Sequence, residues 1–352
     1  MAHLENADRP PLNVALLGYG FAGKTLHAPL ILSVPGLRLT TVMSSQAAKV
    51  HRDLPDMAVA ATGDRIFTDP AVDLVVIATP NDSHFELASR ALAAGKHVVV
   101  DKPLSLDAAE GARLQACAET SGRLLSVFHC RRWDADFLTL RQLLAQDALG
   151  SVVHFESRYD RYRPTVLDRW RERPGPGSGI WFDLGSHLVD QALQLFGMPQ
   201  AVFGDLGMQR EGAAAIDYFH VLLRYGRLRV VLHGSNLVTD APPRLVVHGQ
   251  TGSFVKYGMD AQEAALRRGE RPGGDGWGID PRPGTLTQWV DGAPRAREVP
   301  GVPGNYAAYY EALRDAIHGG AENPVTPREA VDVMAVLELA CRSAAEGKEL
   351  EA

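Results

Sequence analysis

The chain has few cysteines, no long apolar run and no excess of positive charge, and each shortage removes a class of protein. Cys117, Cys130 and Cys341 are odd in number and far apart, giving neither a disulfide framework nor the spacing of a zinc site. That usage suits a reducing compartment, so a cytoplasmic protein with no metal is expected. No uninterrupted apolar stretch approaches the length of a membrane span. The N-terminus, MAHLENADRPPLN, is polar and carries acidic residues, so it lacks the apolar core of a secretory signal. With 36 Lys and Arg against 42 Asp and Glu, the net charge of -6 speaks against a nucleic-acid or membrane partner and leaves room only for a local basic pocket. The sequence has no internal repeat and no low-complexity block.

What is there is the composition of a folded protein, 45% hydrophobic and 22% charged, and 352 residues are too many for one ordinary core. Two domains are therefore expected. In the first third, short apolar runs at 13–17, 38–43, 74–78, 97–100 and 124–127 alternate with helical patterns. Two of these, 83–94 and 107–120, are closed by Gly95 and Gly122. The alternation predicts an α/β Rossmann domain, a doubly wound parallel sheet, over 1–128. Beyond it, 151–160, 200–206, 218–224, 229–232 and 244–247 read as longer strands with few helices between them. They predict an α+β domain over 129–352, built on an open, mainly antiparallel sheet and ending in helices at 306–318 and 328–345. The Gly, Pro and charge of 273–297 read as a surface excursion. An apolar sheet face left open to water would be a large patch, so a homo-oligomer, dimer or tetramer, is expected.

Gly18, Gly20 and Gly23 form G-Y-G-F-A-G directly after the apolar run VALL and before a helical pattern. In that context the first glycine permits a tight turn, the second lets backbone approach a pyrophosphate, and the third lets helix and strand pack closely. The phosphates then lie on the positive end of a helix, with Phe21 and Ala22 completing the loop. At the end of the second strand an acidic side chain would grip a ribose diol, and here Ser44 and Ser45 stand instead, with Lys49 close by. The reading favours NADP, with NAD as the alternative, although Lys49 suits a solvated surface charge equally well.

Thr79, Pro80, Asn81 and His84 follow the fourth apolar run, where open α/β sheets bind ligands, and Asp101, Lys102 and Pro103 end the next strand. His129, just past the last strand of the domain, completes the expected cofactor lining. Asp183 and His187 stand four apart on a predicted helix and share a face, the arrangement of an oriented base; a capping Asp and a buried core His fit the same spacing. Arg132, Trp133, Tyr159, Arg161 and Trp170 belong to a run dense in Arg, Tyr and Trp. Such side chains suit a small-molecule polyol or sugar, and equally a subunit contact.

The segments GYGFAGKTLHAPL, TPNDSHFELA, GKHVVVDKP, LLSVFHCRRWDADFLTL, RWRERPGPGSGIWFDLGSHLVDQALQLFGMP, DYFHVLL and VKYGMDAQEAALRRG make the chain resemble the Gfo/Idh/MocA oxidoreductase family from the glycine turn to the last helix. Within it, the resemblance is to the NADP-preferring scyllo-inositol dehydrogenase branch. It implies a lysine of an E-K-P motif and the Asp and His of a D-x-x-x-H motif as catalytic residues, matched by Lys102, Asp183 and His187. Asp183 and His187 would also meet the substrate, and Lys102 would line the cofactor site as well. The family glutamate is Asp101 here, and Cys130 stands where asparagine is expected. A cis Lys102–Pro103 bond is part of the same implication. The expected activity is hydride exchange between a nicotinamide and a secondary alcohol or ketone of a cyclic polyol, scyllo-inositol or its inosose. A non-catalytic dinucleotide sensor and an NAD-dependent glycosidase on the same fold are the alternatives.

Overall fold

Residues 9–352 are described by the computed structural model; residues 1–8, and the reading of the N-terminal segment that falls on them, lie outside it. The first sheet holds β1 (Leu12–Leu17), β2 (Leu37–Met43), β3 (Ala58–Ala60), β4 (Leu74–Ile77), β5 (His97–Asp101) and β6 (Leu125–Phe128) in the order β3-β2-β1-β4-β5-β6. Every pairing is parallel. The sequence cause is plain in β4, LVVI, and in the Val98–Val99–Val100 run of β5, all fully buried. Strands covered on both faces read as continuous apolar runs rather than alternating ones. The strand order reverses at β1/β4, which places a crevice at the carboxyl ends of those two strands.

The second sheet comprises β7 (Val152–Asp160), β8 (Ala201–Gly207), β9 (Tyr218–Tyr225), β10 (Leu228–Ser235), β11 (Leu245–Gly249), β12 (Gly252–Lys256), β13 (Gly284–Val290), β14 (Ala293–Val299) and β15 (Leu350–Glu351). Their order is β14-β13-β12-β11-β7-β10-β9-β8-β15. Only β7 and β10 run parallel, so the sheet is mixed and mainly antiparallel. Along β7 the burial alternates, with Phe155, Ser157 and Tyr159 turned inward. The helix Ser186–Phe196 and the helix Pro327–Glu346 from Asp332 onward belong to this core: Trp181 Nε1 donates to Leu337 O at 3.0 Å, and Gly204 N to Ser343 Oγ at 3.0 Å. A Cβ on Gly204 would stand 2.4 Å from Ala340 O, so no side chain fits between strand and helix there.

One expectation is corrected. The segment 273–297 is not only a surface excursion, because most of it is the β13/β14 hairpin, turned by Asp291 and Gly292 with φ of 53° and 77°. Asp-Gly with both φ positive is the two-residue turn that matches strand twist. The half-exposed face of β7, β9 and β10 carries His154, Glu156, Arg158, Tyr218, His220 and His233. Leu222 and Val231 share that face, so it mixes polar and apolar side chains. By packing, the chain forms two compact units: one runs to Cys130 and adds Gln262–Trp277 and Asn305–Val331, while the other takes Arg131–Ala261, Gly278–Gly304 and Asp332–Ala352.

Candidate active site

The glycine loop leaves β1 with Gly18 at φ 96°, and a Cβ there would stand 2.6 Å from Ala78 O at the end of β4. A Cβ on Gly23 would be 2.1 Å from Gly18 O, so that glycine closes the loop against the segment Ala22–His27. Gly20 differs, since a Cβ there meets nothing within 4 Å. Its openness is what the approach of a ligand requires, and the residues present fit a dinucleotide pyrophosphate in this respect. Ala22–His27 winds as a π-helix before the chain becomes α-helical, a form that recurs at functional sites. The exposed Phe21 ring lies 4.4 Å from the Arg267 guanidinium. Arg267 comes from a distant segment of the same unit, and no local pattern announced it.

At the end of β2, Ser45 is exposed and Ser44 Oγ accepts the Gln46 N–H at 3.0 Å. Lys49 is half-buried and donates to Tyr19 O at 2.9 Å, which ties it to the glycine loop rather than leaving it a solvated charge. The nearest carboxylate on the following helix, Asp53, pairs with Lys24 at 2.7 Å. Burial and the Asp53 charge push the Tyr19 phenol up to about 12.

Thr79, Pro80 and Asn81 follow β4, with Thr79 Oγ1 and Ser83 Oγ 2.6 Å apart. His84 does not face the crevice openly. It is fully buried, with Nδ1 2.8 Å from Pro103 O and Nε2 3.0 Å from Thr79 O, so it buckles the turns after β4 and β5 together. Burial lowers its pKa, against the pull of both carbonyls. At the end of β5, Asp101 Oδ1 accepts the Lys102 N–H at 2.9 Å, and the Lys102–Pro103 bond is cis. Burial raises the Asp101 pKa, but His27, Lys102 and His84 outweigh it and the carboxyl sits below its usual range. His129, beyond β6, is buried. The loops after β1, β4 and β5 thus line one edge of the parallel sheet.

In the second unit, the single α-helix expected across Asp183 and His187 is broken. Trp181–Gly185 is a π-helical turn carrying Asp183, and His187 lies in the α-helix Ser186–Phe196 that continues it. Widening by one residue per hydrogen bond has no signature in hydrophobic periodicity. Asp183 is part-exposed and pairs with Arg171 Nε at 3.3 Å, and Arg171 stacks 4.5 Å over the exposed Trp170 ring. His187 is buried, its ring 6.5 Å from that of Tyr159.

Tyr159 is clasped by Arg244 at 4.4 Å and Arg131 at 5.2 Å from its ring, and its buried hydroxyl has no hydrogen-bond partner. Such an orphan is a ligand contact in waiting or a defect. Burial raises its pKa. Gln191 holds the clasp together, donating to Arg131 O at 2.8 Å and accepting from Arg244 at 3.2 Å. Arg132 pairs with Asp190, with Nη2 to Oδ1 at 2.6 Å. Trp133 is half-buried. Arg161 donates to Asn236 Oδ1 at 2.8 Å, and burial with the charge of Arg163 lowers its pKa to about 10.

A doubly wound parallel sheet with a glycine loop at its switch point, joined to a mixed-sheet unit, defines a nicotinamide-dinucleotide oxidoreductase. Residues 12–129 match the oxidoreductase family's NAD-binding Rossmann fold and residues 141–351 its C-terminal alpha/beta domain. The chain belongs to the Gfo/Idh/MocA oxidoreductase family. It is 52% identical to the oxidoreductase YdgJ of Escherichia coli K12, over 95% of this chain and 96% of that one. It is 42% identical to scyllo-inositol 2-dehydrogenase (NADP(+)) IolW of Bacillus subtilis 168, over 95% and 94%. Among solved structures, the yvaA oxidoreductase of Bacillus subtilis superposes with a TM-score of 0.95 at 40% identity, covering 97% of this chain and 99% of that one. The YPO2259 oxidoreductase of Yersinia pestis gives 0.94 at 51%, covering 97% of each. No helix among the described residues is long and apolar enough to cross a membrane.

Proposed function

We propose that the chain is a cytoplasmic, NADP-preferring dehydrogenase that oxidises a secondary alcohol of a cyclic polyol, with scyllo-inositol and its inosose as the substrate pair. The observation that carries the reading is the placement of the glycine loop and of Lys102 along one edge of the parallel sheet, at the ends of β1 and β5 with β4 between them. The name of IolW supports the substrate class and the cofactor.

The glycine loop, Ser44, Ser45, Lys49 and the turn Thr79–Pro80–Asn81 hold the dinucleotide. When bound, its nicotinamide supplies the hydride acceptor. His187 accepts the hydroxyl proton, and Asp183 steadies the imidazolium that forms. Lys102 donates to the developing alkoxide, where a fixed positive charge lowers the barrier most. Tyr159 offers its unpartnered hydroxyl to a hydroxyl of the polyol. Arg132 serves the second unit by fixing the helix that carries His187. The chain associates as a homo-oligomer, a dimer or a tetramer, and light scattering reads the subunit number.

A panel of inositols, inososes and aldoses, each assayed with NAD and with NADP, tests the reading. Turnover of scyllo-inositol with NADP, abolished in Lys102→Ala with NADPH binding kept, is the expected result. Strong preference for NAD overturns the role of Ser44 and Ser45, and undiminished turnover in Lys102→Ala removes Lys102 from the chemistry.

A further inference from the structure

Behind Lys102 the first unit buries an imidazole that the dinucleotide site does not use. His27 is fully buried, its ring 4.4 Å from that of Phe128 on β6 and set edge-on to Tyr310 on the helix Ala307–Ile317. Its Nδ1 lies 2.6 Å from Tyr310 Oη, and its Nε2 faces Asp101 Oδ1 at 3.8 Å. The same Asp101 oxygen accepts the Lys102 N–H at 2.9 Å. The four residues therefore form a chain running from a helix far along the sequence to the lysine at the end of β5.

The tautomer follows from the partners. An Nε2 lone pair turned toward a carboxylate would be repelled, so the proton sits on Nε2 and Nδ1 accepts from the phenol. Burial and neighbouring groups hold the Tyr310 pKa well above its usual value, so the phenol keeps the proton it donates. At 3.8 Å the contact to Asp101 is electrostatic rather than a hydrogen bond, and Nε2 has no other partner. The other groups around this chain are the Phe128 and Tyr309 rings, the Cys130 thiol whose charge would act on Tyr310, and His84 and Lys102 beside Asp101.

We propose that His27, braced by Tyr310, is a positioning residue for Lys102: it holds Asp101 in the orientation that grips the Lys102 backbone and so sets where the ammonium points. The proposal rests on Lys102 acting on the substrate. The Lys102 N–H and the His27 ring both pull on Asp101 Oδ1. Without the ring it is free to turn toward solvent, and the lysine loses both a fixed backbone and a constant negative neighbour.

The test uses the full chain with Tyr310→Phe, His27→Gln, His27→Ala and Asp101→Asn. Lysines are labelled with carbon-13 at Cε, and Lys102 is assigned by its loss in Lys102→Ala. Its signal is recorded, and kcat and KM are measured with scyllo-inositol and NADP. We expect kcat to fall about tenfold in Tyr310→Phe and further in His27→Ala, with KM for NADP within about twofold and partial recovery in His27→Gln, since tenfold is about 1.4 kcal/mol of barrier. The Lys102 signal should broaden or split in both His27 variants. The signal should also shift and broaden in Asp101→Asn, where the carboxylate that grips the Lys102 backbone is lost. Variants that lose thermal stability while the Lys102 signal stays as in the parent would overturn the positioning role. If Lys102→Ala itself keeps its turnover, the catalytic reading fails, and the carbon-13 spectrum still decides whether His27 orders Lys102.

Discussion

Arg132 and Asp190 form a two-pronged ion pair, with Nη2 to Oδ1 at 2.6 Å and Nε to Oδ2 at 3.0 Å, and are 5% and 2% exposed. Asp190 lies three positions beyond His187 on the same helix, so the pair pins that helix to the segment entering the second unit.

Removing one partner strands the other charge in the interior, which costs about 3–5 kcal/mol. Arg132→Ala should therefore lower the thermal midpoint steeply, and Arg132→Lys should fall between, because an ammonium cannot reproduce the fork. The double variant Arg132→Met with Asp190→Leu should recover much of the loss, since neither charge is then buried alone. A calorimetric double-mutant cycle checks this. If Arg132→Ala keeps its stability and loses only affinity for the polyol, Arg132 is a substrate contact after all.

The three loop glycines should separate by experiment. Gly23→Ala sets a methyl 2.1 Å from Gly18 O and should destabilise the first unit by roughly 1–3 kcal/mol through overpacking. Gly20→Ala touches no protein atom within 4 Å, so its thermal midpoint should stay put. Its affinity for NADPH should nevertheless fall at least tenfold, about 1.4 kcal/mol, because the methyl occupies the approach of the pyrophosphate. Thermal melts paired with fluorescence titration of NADPH read both effects. Unaltered NADPH affinity in Gly20→Ala would place the phosphates elsewhere.

The parallel sheet was legible because five of its strands are dense apolar runs; β3, only Ala58–Ala60 and partly exposed, carries too little pattern to be seen. The glycine loop and Lys102 were legible for the same reason, since each directly follows one of those runs. The edge strand β14 was missed because its exposed Arg295, Arg297 and Glu298 look like loop composition, although charge is how edges avoid pairing with other chains. The Asp291–Gly292 turn was the available signal. Pairings that join residues far apart, Arg132 with Asp190 or His27 with Tyr310, depend on which faces meet in three dimensions, and one sequence carries no local mark of them.

Cofactor choice is open to a charge test at the end of β2. An acidic side chain at Ser45 would grip a ribose diol and repel a 2′-phosphate. Ser45→Asp should shift the ratio of kcat/KM for NADP over NAD by about two orders of magnitude toward NAD, roughly 2.7 kcal/mol. Lys49→Ala should weaken NADP more than NAD, because one of three ammonium protons serves Tyr19 O and the others stay available to a phosphate. Equal losses for both cofactors would restrict Lys49 to bracing the loop.

Acid should weaken the fold through the part-buried His97 and the buried His84. His97 Nδ1 accepts the Leu124 N–H at 3.1 Å, and burial, then the Arg123 charge, push its pKa from 6.5 down to about 4. Between those values the unfolded chain binds a proton that the folded chain refuses, so stability is present above pH 6.5 and drains away as the pH falls toward about 4. His84 has the same sign, since burial lowers its pKa too. In His97→Gln the side-chain oxygen accepts the Leu124 N–H without titrating. The thermal midpoint of the parent should drop on acidification through this window, and the drop should be shallower in His97→Gln. Parallel curves for the two proteins would assign the acid sensitivity to other groups.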